Sequence, residues 1–371
     1  MRIMITGGGT GGHVFPAVAV VEELGRRDPI LVHQWVGKSG GVEERVCAQL
    51  AIPFRPITVM GWPRRMGIRR IWALFALLRG FVQAYFYLLK FKPDAVFAVG
   101  GYVCLPLAYV AERLGIKVFL HEQNRRLGMA NRLLAPRAER IFLSFADTVG
   151  DYPRDKALHV GNPVRSSFFN APSRLDAKKS LGLEEGVPVV LVVGGSQGAR
   201  RINEAVADVI HRFQPQEVQI IWVTGAHDVT WARQRAEKAP IHVDIFSFME
   251  NIAEAMAAAD IIVARSGASF TAELAAVGRP AILIPYPHAA EGHQEENALA
   301  FVECNAAVLL ADAECTGDRL LGILQELLSS PSKRECMEKA AASLAKPGAA
   351  ERIVDEILAV CFSHEVPLTQ T

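Results

Sequence analysis

Glycine-rich segments stand at two places where an apolar run meets a helical pattern. Residues 7–13 (GGGTGGH) follow the run 2–6, and residues 194–200 (GGSQGAR) follow the run 187–193. Glycine lets the backbone approach a phosphate closely, and the free amides at the start of a helix favour anions. A tight turn alone would explain either segment. Together, one in each half of the chain, they predict a diphosphate-bearing ligand held in a cleft between two domains.

A third segment with similar chemistry is 265–273 (RSGASFTAE), which follows the apolar run 261–264. Its small residues and hydroxyl groups at a predicted helix start favour an anion. Glu273 is a candidate to accept hydrogen bonds from a ribose diol, although an acidic residue near a helix start also stabilises the helix dipole. The next predicted strand leads into a polar loop, where Gln294 and Asn297 are candidates for contacts with sugar hydroxyls.

Other cofactor patterns are weak in this sequence. Gly7, Gly9 and Gly12 fit G-x-G-x-x-G, the pattern of a dinucleotide site. A dinucleotide site also needs an acidic residue at the end of the second strand to bind the ribose. Asp28 lies before the second predicted strand instead, so this acidic residue has no candidate. The sequence contains no D-x-D pair that would hold a divalent ion against a diphosphate. We therefore expect no tightly bound metal, an expectation compatible with stimulation by Mg²⁺.

The composition suits a two-domain cytosolic protein. The 371 residues are 50% hydrophobic and 21% charged, which provides apolar side chains for two cores of ordinary size. The formal net charge is +1 at pH 7, which gives no electrostatic reason to expect a nucleic-acid partner. The six cysteines contain no C-x-x-C pair, which favours reduced thiols over a disulfide framework or a zinc site.

Strand and helix patterns alternate along the chain, which favours parallel sheets with right-handed crossovers. The alternation restarts at residue 187, so we predict an N-terminal Rossmann-like domain over 1–163 and a second one over 164–345. A C-terminal helix and tail over 346–371 should pack back toward the first domain, and the chain from 331 to about 361 should be helical. The predicted strands are 2–6, 30–36, 95–99, 117–121, 140–144, 187–193, 219–223, 243–246, 261–264 and 281–284.

Residues 71–89 (IWALFALLRGFVQAYFYLL) are long and apolar enough to be considered as a membrane helix. Arg79 and Gln83 near the middle oppose a span, and the basic flanks favour a helix that lies on an anionic membrane surface. A buried core helix would also explain the apolar residues, and the two alternatives are compatible if one face packs inward. The aromatic and basic residues expected at the surface are Trp62, Arg64, Arg65, Arg69, Arg70, Trp72, Lys90 and Lys92.

Five motifs occur in a fixed order along the chain. They are GGTGGH at 8–13, HEQN at 121–124, GNPVR at 161–165, GGSQGA at 194–199 and the run 265–273. Together they closely resemble the MurG family, the bacterial N-acetylglucosaminyltransferases of peptidoglycan synthesis. The resemblance covers nearly the whole chain. It implies the GT-B fold, in which two Rossmann-like domains with parallel sheets face each other across a cleft.

The resemblance also implies a reaction, a location and partners. N-acetylglucosamine would move, with inversion, from UDP-N-acetylglucosamine to the C4 hydroxyl of undecaprenyl-pyrophosphoryl-N-acetylmuramyl-pentapeptide (lipid I), giving lipid II. The enzyme would be peripheral on the cytoplasmic face of the bacterial inner membrane, with other cell-wall synthesis and cell-division proteins as partners. The alternatives within this fold are a transferase with another, glycolipid acceptor and a UDP-sugar epimerase.

Two further classes are disfavoured. A nicotinamide-dependent dehydrogenase predicts one glycine fingerprint with a ribose-binding acid, whereas here there are two glycine-rich turns and no such acid. An inactive binding scaffold is disfavoured by the presence of His13, Glu122 and Glu273.

An inverting displacement needs a base near the attacking hydroxyl group. His13 stands where the first loop enters the expected cleft, and an unperturbed imidazole is mostly neutral at pH 7. Glu122 is the alternative base, or a group that orients one. Among the family matches, Arg165 is expected on a phosphate and the backbone of Met249 on the uracil. The residues that match substrate contacts are Thr10, Gly11, Gly12, Asn124, Arg165, Ser196, Met249, Ala268, Ser269, Phe270, Thr271, Ala272, Glu273 and Gln294.

Overall fold

The structure is a computed structural model that describes residues 1–61, 67–195, 198–289 and 292–362. Within these ranges the side chains of residues 68 and 69 are not described. Some residues named above therefore fall outside the description. They are Trp62, Arg64, Arg65 and Ser196, together with the side chain of Arg69.

Two compact units make up the chain. One is Met1–Arg165 with Gly348–Thr371, and the other is Ser166–Pro347. Each unit contains a parallel β-sheet covered by helices, so the predicted fold class of two α/β domains with parallel sheets is confirmed.

The described part of the first unit forms a seven-stranded parallel sheet. Its strands are β1 (Arg2–Thr6), β2 (Val32–Gly37), β3 (Phe54–Pro56), β4 (Ala95–Ala98), β5 (Lys117–Glu122), β6 (Arg140–Leu143) and β7 (Ala157–His159). Their spatial order is β3-β2-β1-β4-β5-β6-β7, so the winding direction reverses between β1 and β4. The loops after β1 and β4 therefore open side by side at the carboxyl edge, where sheets of this kind bind ligands.

The described part of the second unit forms a six-stranded parallel sheet. Its strands are β8 (Val189–Val193), β9 (Gln219–Val223), β10 (His242–Phe246), β11 (Ile261–Ala264), β12 (Ala281–Leu283) and β13 (Ala307–Leu309). The order is β10-β9-β8-β11-β12-β13, and the winding reverses between β8 and β11. Both of these central strands are buried at every position, as expected of apolar runs that are covered on two faces.

Helices connect most consecutive strands, because parallel neighbours need a crossover. They are α1 (Gly11–Arg27), α2 (Val42–Gln49), α3 (Ile68–Phe91), α4 (Leu105–Arg113), α5 (Met129–Leu134), α6 (Ser166–Phe169), α7 (Arg174–Ser180), α8 (Arg200–Val209), α9 (Val229–Ala236), α10 (Ile252–Ala258), α11 (Ala268–Val277), α12 (His293–Glu303), α13 (Gly317–Leu328), α14 (Pro331–Ser343) and α15 (Ala349–Phe362).

The last helix, α15, packs against α1 in the first unit. Ile353 and Ile357 are fully buried in the core that α1 also lines. The Arg27 guanidinium lies 3.2 Å from the Asp355 carboxylate at the margin of this contact. Burial of a branched apolar side chain contributes about 1.5–3 kcal/mol. The C-terminal helix is therefore an integral part of the first core.

Helix α3 is apolar on both its inner and its outer face. Ala84 and Leu88 lie in the core beneath it, among residues of β4 and α4. By length and composition, the stretch from Arg70 to Phe91 could cross a membrane, and 22% of its most apolar part is buried. A contiguous exposed apolar face of this kind marks an interaction surface. We call it the outer face of α3, and its exposed apolar residues are Ile71, Trp72, Leu74, Phe75, Leu78, Val82, Tyr85, Phe86 and Leu89.

Three edge strands that the sequence did not predict are short. Strands β3, β7 and β13 have three residues each, which is too few to show a period. The chain from 331 to about 361 is helical as predicted except over 344–348, because α14 ends at Ser343 and α15 begins at Ala349. Gly348 has φ of +81° before α15, a conformation that suits glycine and that a continuous helix does not contain.

Candidate active site

The loop after β1 places His13 on the first turn of α1. Thr10 is extended and precedes the helix, and its carbonyl oxygen accepts the amides of His13 at 3.1 Å and Val14 at 3.3 Å. The Thr10 hydroxyl oxygen lies 3.0 Å from Nδ1 of His13. Four predicted site residues, Thr10, Gly11, Gly12 and His13, thus lie at one helix N-terminus, where backbone amides favour anions.

A glycine pair after β4, which the sequence analysis did not single out, lies against the His13 ring. Gly100 and Gly101 have φ of +81° and +76°, which favours glycine. A Cβ atom on Gly100 would lie 3.3 Å from Cδ2 of His13, and one on Gly101 would lie 2.9 Å from the Gly8 carbonyl oxygen. The close approach of these two loops therefore depends on both glycines. The signal available in the sequence was two glycines directly after an apolar run.

Glu122, at the carboxyl end of β5, is 2% exposed and accepts four N–H groups. Its Oε1 accepts the backbone and the side-chain N–H of Asn124, both at 3.1 Å. Its Oε2 accepts the Gly128 amide at 2.8 Å and the Asn131 side chain at 2.9 Å. Burial raises the pKa of Glu122, and the four donors oppose that rise. This carboxylate is therefore placed to hold Asn124 and the following turn.

Asn131 links Glu122 to the surroundings of His13. A Cβ atom on Gly100 would lie 3.4 Å from Nδ2 of Asn131 and 3.3 Å from Cδ2 of His13, so the amide and the ring flank the same glycine. The Asn131 side chain also donates to the His121 carbonyl oxygen at 3.0 Å. The structure thus brings both predicted catalytic residues, His13 and Glu122, to neighbouring loops at one edge of the first sheet.

His121 is fully buried beside Glu122 and ties β5 to the segment that ends the first unit. Its Nδ1 accepts the Gln123 side-chain amide at 2.9 Å, and its Nε2 lies 3.4 Å from the Gly161 carbonyl oxygen and 3.3 Å from the Ser144 hydroxyl. Because Gln123 supplies an N–H to Nδ1, we assign the ring proton to Nε2. Burial lowers the pKa of His121 to about 4, so the ring is neutral near pH 7.

Arg165, at the end of the first unit, lies over an aromatic ring of α1. Its guanidinium carbon is 4.5 Å from the centre of the Phe15 ring, which is the geometry of a cation–π contact. A Cβ atom on Gly11 would lie 3.1 Å from the same ring. The structure therefore places the positive charge of Arg165 beside the first turn of α1.

In the second unit, the glycine-rich turn after β8 packs against the loop after β9. The Gly194 amide donates to the Val223 carbonyl oxygen at 3.3 Å. A Cβ atom on Gly198 would lie 2.5 Å from the Thr224 carbonyl oxygen, so this contact requires glycine. Ser196, the predicted diphosphate contact, lies outside the described residues. The described ends of the turn lie at the winding reversal beside β11.

Ser266 ties the loop after β11 to the start of α12. Its hydroxyl donates to the Gln294 carbonyl oxygen at 2.7 Å, and the Asn297 side chain donates to the Ser266 carbonyl oxygen at 3.1 Å. The Oε1 atom of Gln294 accepts the Tyr286 amide at 2.9 Å. These bonds bring Gln294, the predicted donor-sugar contact, to the segment that begins α11.

Arg265, the residue after β11, stabilises the same edge of the sheet. Its Nη1 donates to the carbonyl oxygens of Ile284 and Pro285, both at 3.1 Å. The same atom lies 2.6 Å from the Asp312 carboxylate. Two hydrogen bonds and one ion pair around one planar, permanently charged group fix the loop after β12 against the end of β11.

The predicted run 268–273 forms the first turns of α11, at the winding reversal between β8 and β11. Ser269 and Glu273 are buried there. The Thr271 hydroxyl donates to the Ala268 carbonyl oxygen at 3.0 Å, within the helix. This N-terminus offers backbone amides together with a carboxyl group one turn in. The half-buried residues of these turns are Ala268, Phe270 and Ala272.

Met249, the predicted uracil contact, is half-buried in the loop between β10 and α10. The loop opens at the same carboxyl edge as the turns after β8 and β11. In the sheet order, β10 lies two strands away from β8. Met249 thus shares the edge with the other predicted donor contacts but lies at its outer end.

Groups suited to an anion at these edges include the N-termini of α1 and α11 and the side chain of Arg165. Across the ranges that the structure describes, no group of three or more His, Cys, Asp or Glu side chains is placed to hold a metal ion.

Comparison with known proteins places both units in one family. Residues 3–143 match the glycosyltransferase family 28 N-terminal domain, and residues 189–353 match the glycosyltransferase family 28 C-terminal domain.

Two relatives share the name UDP-N-acetylglucosamine--N-acetylmuramyl-(pentapeptide) pyrophosphoryl-undecaprenol N-acetylglucosamine transferase. The protein of Moorella thermoacetica is 40% identical over 96% of this chain and 98% of its own length. That of Halalkalibacterium halodurans is 36% identical over 95% of this chain and 98% of its own. The chain belongs to the MurG family.

Solved structures agree with membership of the MurG family. The crystal structure of Acinetobacter baumannii MurG is similar with a TM-score of 0.73 and 29% identity, over 96% of this chain and 99% of that one. The predicted GT-B fold is thereby confirmed. The UDP-GlcNAc 2-epimerase of Neisseria meningitidis is similar with a TM-score of 0.66 and 16% identity, over 96% of this chain and 100% of that one. At that identity the likeness concerns the fold alone.

Proposed function

We propose that this MurG family member transfers N-acetylglucosamine from UDP-N-acetylglucosamine to lipid I and so forms lipid II for peptidoglycan synthesis. The observation that carries the proposal is the 36% and 40% identity, over nearly the full length of both chains, to transferases named for this donor and this acceptor. The helix N-termini of α1 and α11 support it, because both substrates carry a diphosphate that backbone amides would bind.

In this proposal the first unit binds the acceptor and the second unit binds the donor. The C4 hydroxyl of the acceptor attacks the anomeric carbon of the donor sugar from the face opposite UDP. A new carbon–oxygen bond forms while the bond from the anomeric carbon to the phosphate oxygen breaks, which inverts the configuration. Nε2 of His13 takes the hydroxyl proton, and UDP leaves with the electron pair. The α11 N-terminus compensates the charge that develops on UDP.

Glu122 has a different part in this scheme from His13. Its two carboxylate oxygens accept N–H groups of Asn124, Gly128 and Asn131. A carboxylate with both oxygens so engaged orients its neighbours, so we assign it the positioning of Asn124, a predicted substrate contact. His13 is then the proton acceptor of the pair.

We propose further that transfer does not need a tightly bound metal. Helix N-termini and Arg165 supply positive charge at the two edges, and Mg²⁺ would then stimulate by pairing with the diphosphate of UDP. Chelation with EDTA followed by addition of Mg²⁺ tests this. Partial retention of the rate in EDTA supports the proposal, and complete loss that Mg²⁺ reverses contradicts it.

The location that fits a lipid-linked acceptor is the cytoplasmic face of the inner membrane, and we propose that the protein attaches there peripherally through the outer face of α3. Trp72, Phe75 and Phe86 are each 62% exposed on it. Arg79 and Lys90 are exposed on the same helix and would meet anionic headgroups. Other cell-wall synthesis and cell-division proteins are the partners expected at that surface.

The test is UDP release from UDP-N-acetylglucosamine, measured with and without a lipid-linked N-acetylmuramyl-pentapeptide, for the wild type and His13→Ala. We expect acceptor-dependent release and a disaccharide product identified by mass spectrometry. His13→Ala should lower kcat by about 10²–10⁴, the usual contribution of a general base. Its affinity for UDP should match the wild type, which controls for folding of the second unit.

Two results would contradict the proposal in different ways. Binding of UDP-N-acetylglucosamine without transfer to this acceptor would keep the fold and redirect the search to a glycolipid acceptor. Conversion of the donor sugar to its C2 epimer in the absence of any acceptor would identify a UDP-sugar epimerase.

A further inference from the structure

A fully buried carboxylate lies directly beneath the glycine-rich loop that carries His13. Glu43 is 0% exposed. Its Oε2 accepts the Gly9 amide at 3.1 Å, and its Oε1 accepts the Lys38 amide at 3.0 Å. The carboxylate thus joins the loop after β1 to the turn after β2. A buried charge of this kind is costly unless it is hydrogen-bonded, so the two backbone donors are part of what keeps it there.

Three glycines from three separate segments leave the space that this side chain fills. A Cβ atom on Gly8 would lie 2.3 Å from Cδ of Glu43, one on Gly37 would lie 2.6 Å from its Cγ, and one on Gly41 would lie 2.6 Å from its Oε2. No real Cβ atom tolerates such distances. Gly8 belongs to the loop, Gly37 ends β2 and Gly41 precedes α2. The backbone on all three sides is therefore shaped around Glu43.

Glu43 also lies at the N-terminus of its own helix. Glu43 is the second residue of α2, whose N-terminal amides carry partial positive charge toward the carboxylate. The neighbouring Glu44 differs, because it is partly exposed and its carboxylate accepts the Gly40 amide in its own turn. Only Glu43 of this pair reaches across to the loop that carries His13.

We propose that Glu43 is a positioning residue for transfer, which fixes the Gly9 amide and thereby sets the place of Thr10 and His13. With the Gly9 N–H directed to Glu43, the loop is anchored at its rear, directly before the start of α1. His13 follows four residues later, on the first turn of the helix that begins at Gly11. The kinetic part of this inference rests on the proposed transferase function.

The first test does not depend on activity. Glu43→Gln keeps the size of the side chain but leaves one oxygen to serve two donors, and Glu44→Gln is the matched control. Hydrogen exchange of peptides that cover residues 7–14 should become about tenfold faster in Glu43→Gln, as expected when an anchoring hydrogen bond is lost. The same peptides should exchange as in the wild type in Glu44→Gln. Equal exchange in all three proteins overturns the proposal.

The second test asks whether Glu43 acts through His13. Glu43→Gln should lower kcat about tenfold to a hundredfold, the range for misplacing a catalytic group by about an ångström. The KM for UDP-N-acetylglucosamine should stay unchanged, because the donor binds the second unit. In a His13→Ala background, Glu43→Gln should lower kcat little further, since the group that it positions is gone. If the double variant instead lost kcat by the product of the two single losses, Glu43 would act independently of His13, and this would contradict the proposal.

A further variant keeps the inference testable if Glu43→Gln does not fold. Glu43→Asp keeps a carboxylate and adds no atom to the packed space, but its side chain is one methylene shorter and should no longer reach the Gly9 amide. It should reproduce both the faster exchange of residues 7–14 and the loss of kcat, and wild-type values for both overturn the proposal. A wild type without transferase activity would contradict the proposed function and leave the exchange experiment to decide on Glu43.

Discussion

The Thr10 hydroxyl oxygen lies 3.0 Å from Nδ1 of His13, on the first turn of α1. A neutral imidazole carries its proton on one nitrogen, and the partner of the other nitrogen decides which one. When Nδ1–H donates to the Thr10 oxygen, Nε2 is the nitrogen that carries no proton. A general base that acts through Nε2 needs this tautomer, so Thr10 is placed to select it for His13.

The tautomer prediction can be tested with two substitutions of Thr10. Thr10→Val keeps the shape of the side chain and removes the oxygen, so we expect kcat to fall about tenfold, the effect of one lost hydrogen bond. Thr10→Ser keeps the oxygen and should stay within about threefold of the wild type. Steady-state kinetics at saturating donor measure both variants. Equal losses in the two would show that the hydroxyl group does not act through His13.

The pH dependence of the rate separates the roles of His13 and Glu122. A base must be deprotonated to act, so kcat should fall in the pH range where the base takes up a proton, which gives the pH profile an acid limb. Glu122→Gln turns an N–H₂ group toward N–H donors, which should lower kcat by about 10- to 100-fold through misplacement of Asn124. Its acid limb should nevertheless keep the position seen in the wild type, whereas His13→Gln should abolish that limb. The reverse pattern would assign the base to Glu122.

The fold could be predicted where local patterns carry the information. Strands β1, β8 and β11 are apolar runs that end in glycine or small residues, and such runs are typical of strands buried on both faces. Strands β3, β7 and β13 could not be predicted, because edge strands of three residues have no recognisable period.

The site could be predicted only where its residues lie in one segment. His13 follows a glycine-rich turn in the sequence, so its position at a ligand-binding edge could be inferred. Glu43 is separated by 34 positions from its partner Gly9, and in the sequence it looks like an ordinary acid at a helix start. The glycine pair at 100 and 101 contacts His13 only through the pairing of β1 with β4. Contacts of this kind are set by strand order, which local patterns do not encode.

The buried imidazole of His121 predicts a loss of stability in acid. Its pKa is about 4 in the folded protein, against about 6.5 in an unfolded chain. Between these values the unfolded chain binds a proton that the folded chain does not, so the free energy of unfolding falls as the pH drops, by about 1.4 kcal/mol per pH unit. The loss should begin near pH 6.5 and end near pH 4.

A variant without the imidazole isolates this contribution. Urea unfolding followed by circular dichroism at about pH 7.5 and about pH 5 should show a loss roughly 2 kcal/mol larger in the wild type than in His121→Gln. Burial raises the pKa of Glu112 to about 7, which gives a stability change of opposite sign over part of this range. Glu112 is present in both proteins, so its effect cancels in the comparison. An equal acid loss in the two proteins would contradict the assignment to His121.

The position of Gln294 predicts that its replacement weakens binding of the donor sugar but not of the nucleotide. Its Oε1 accepts the Tyr286 amide and its main chain accepts the Ser266 hydroxyl, which holds the side chain at the edge beside α11. Gln294→Ala should raise the KM for UDP-N-acetylglucosamine about tenfold, the loss of one polar contact. The affinity for UDP alone, measured by calorimetry, should change by less than about twofold. Gln325→Ala, on an exposed part of α13, is the control. A parallel loss of UDP affinity would place Gln294 on the nucleotide.

Membrane binding through the outer face of α3 should depend on both basic and apolar side chains, and the salt dependence of binding distinguishes the two contributions. Arg79→Gln with Lys90→Gln removes two charges, which should weaken binding to phosphatidylglycerol vesicles about thirtyfold at low salt, at about 1 kcal/mol per basic residue. The difference should shrink as salt is added, because screening removes the same attraction from the wild type.

Phe75→Ser with Phe86→Ser should weaken binding about tenfold or more at every salt concentration, because it removes apolar area rather than charge. Ile30→Ser, at an exposed apolar residue between α1 and β2, should bind like the wild type. Vesicle binding that none of these changes alters would mean that the protein meets the membrane through another surface.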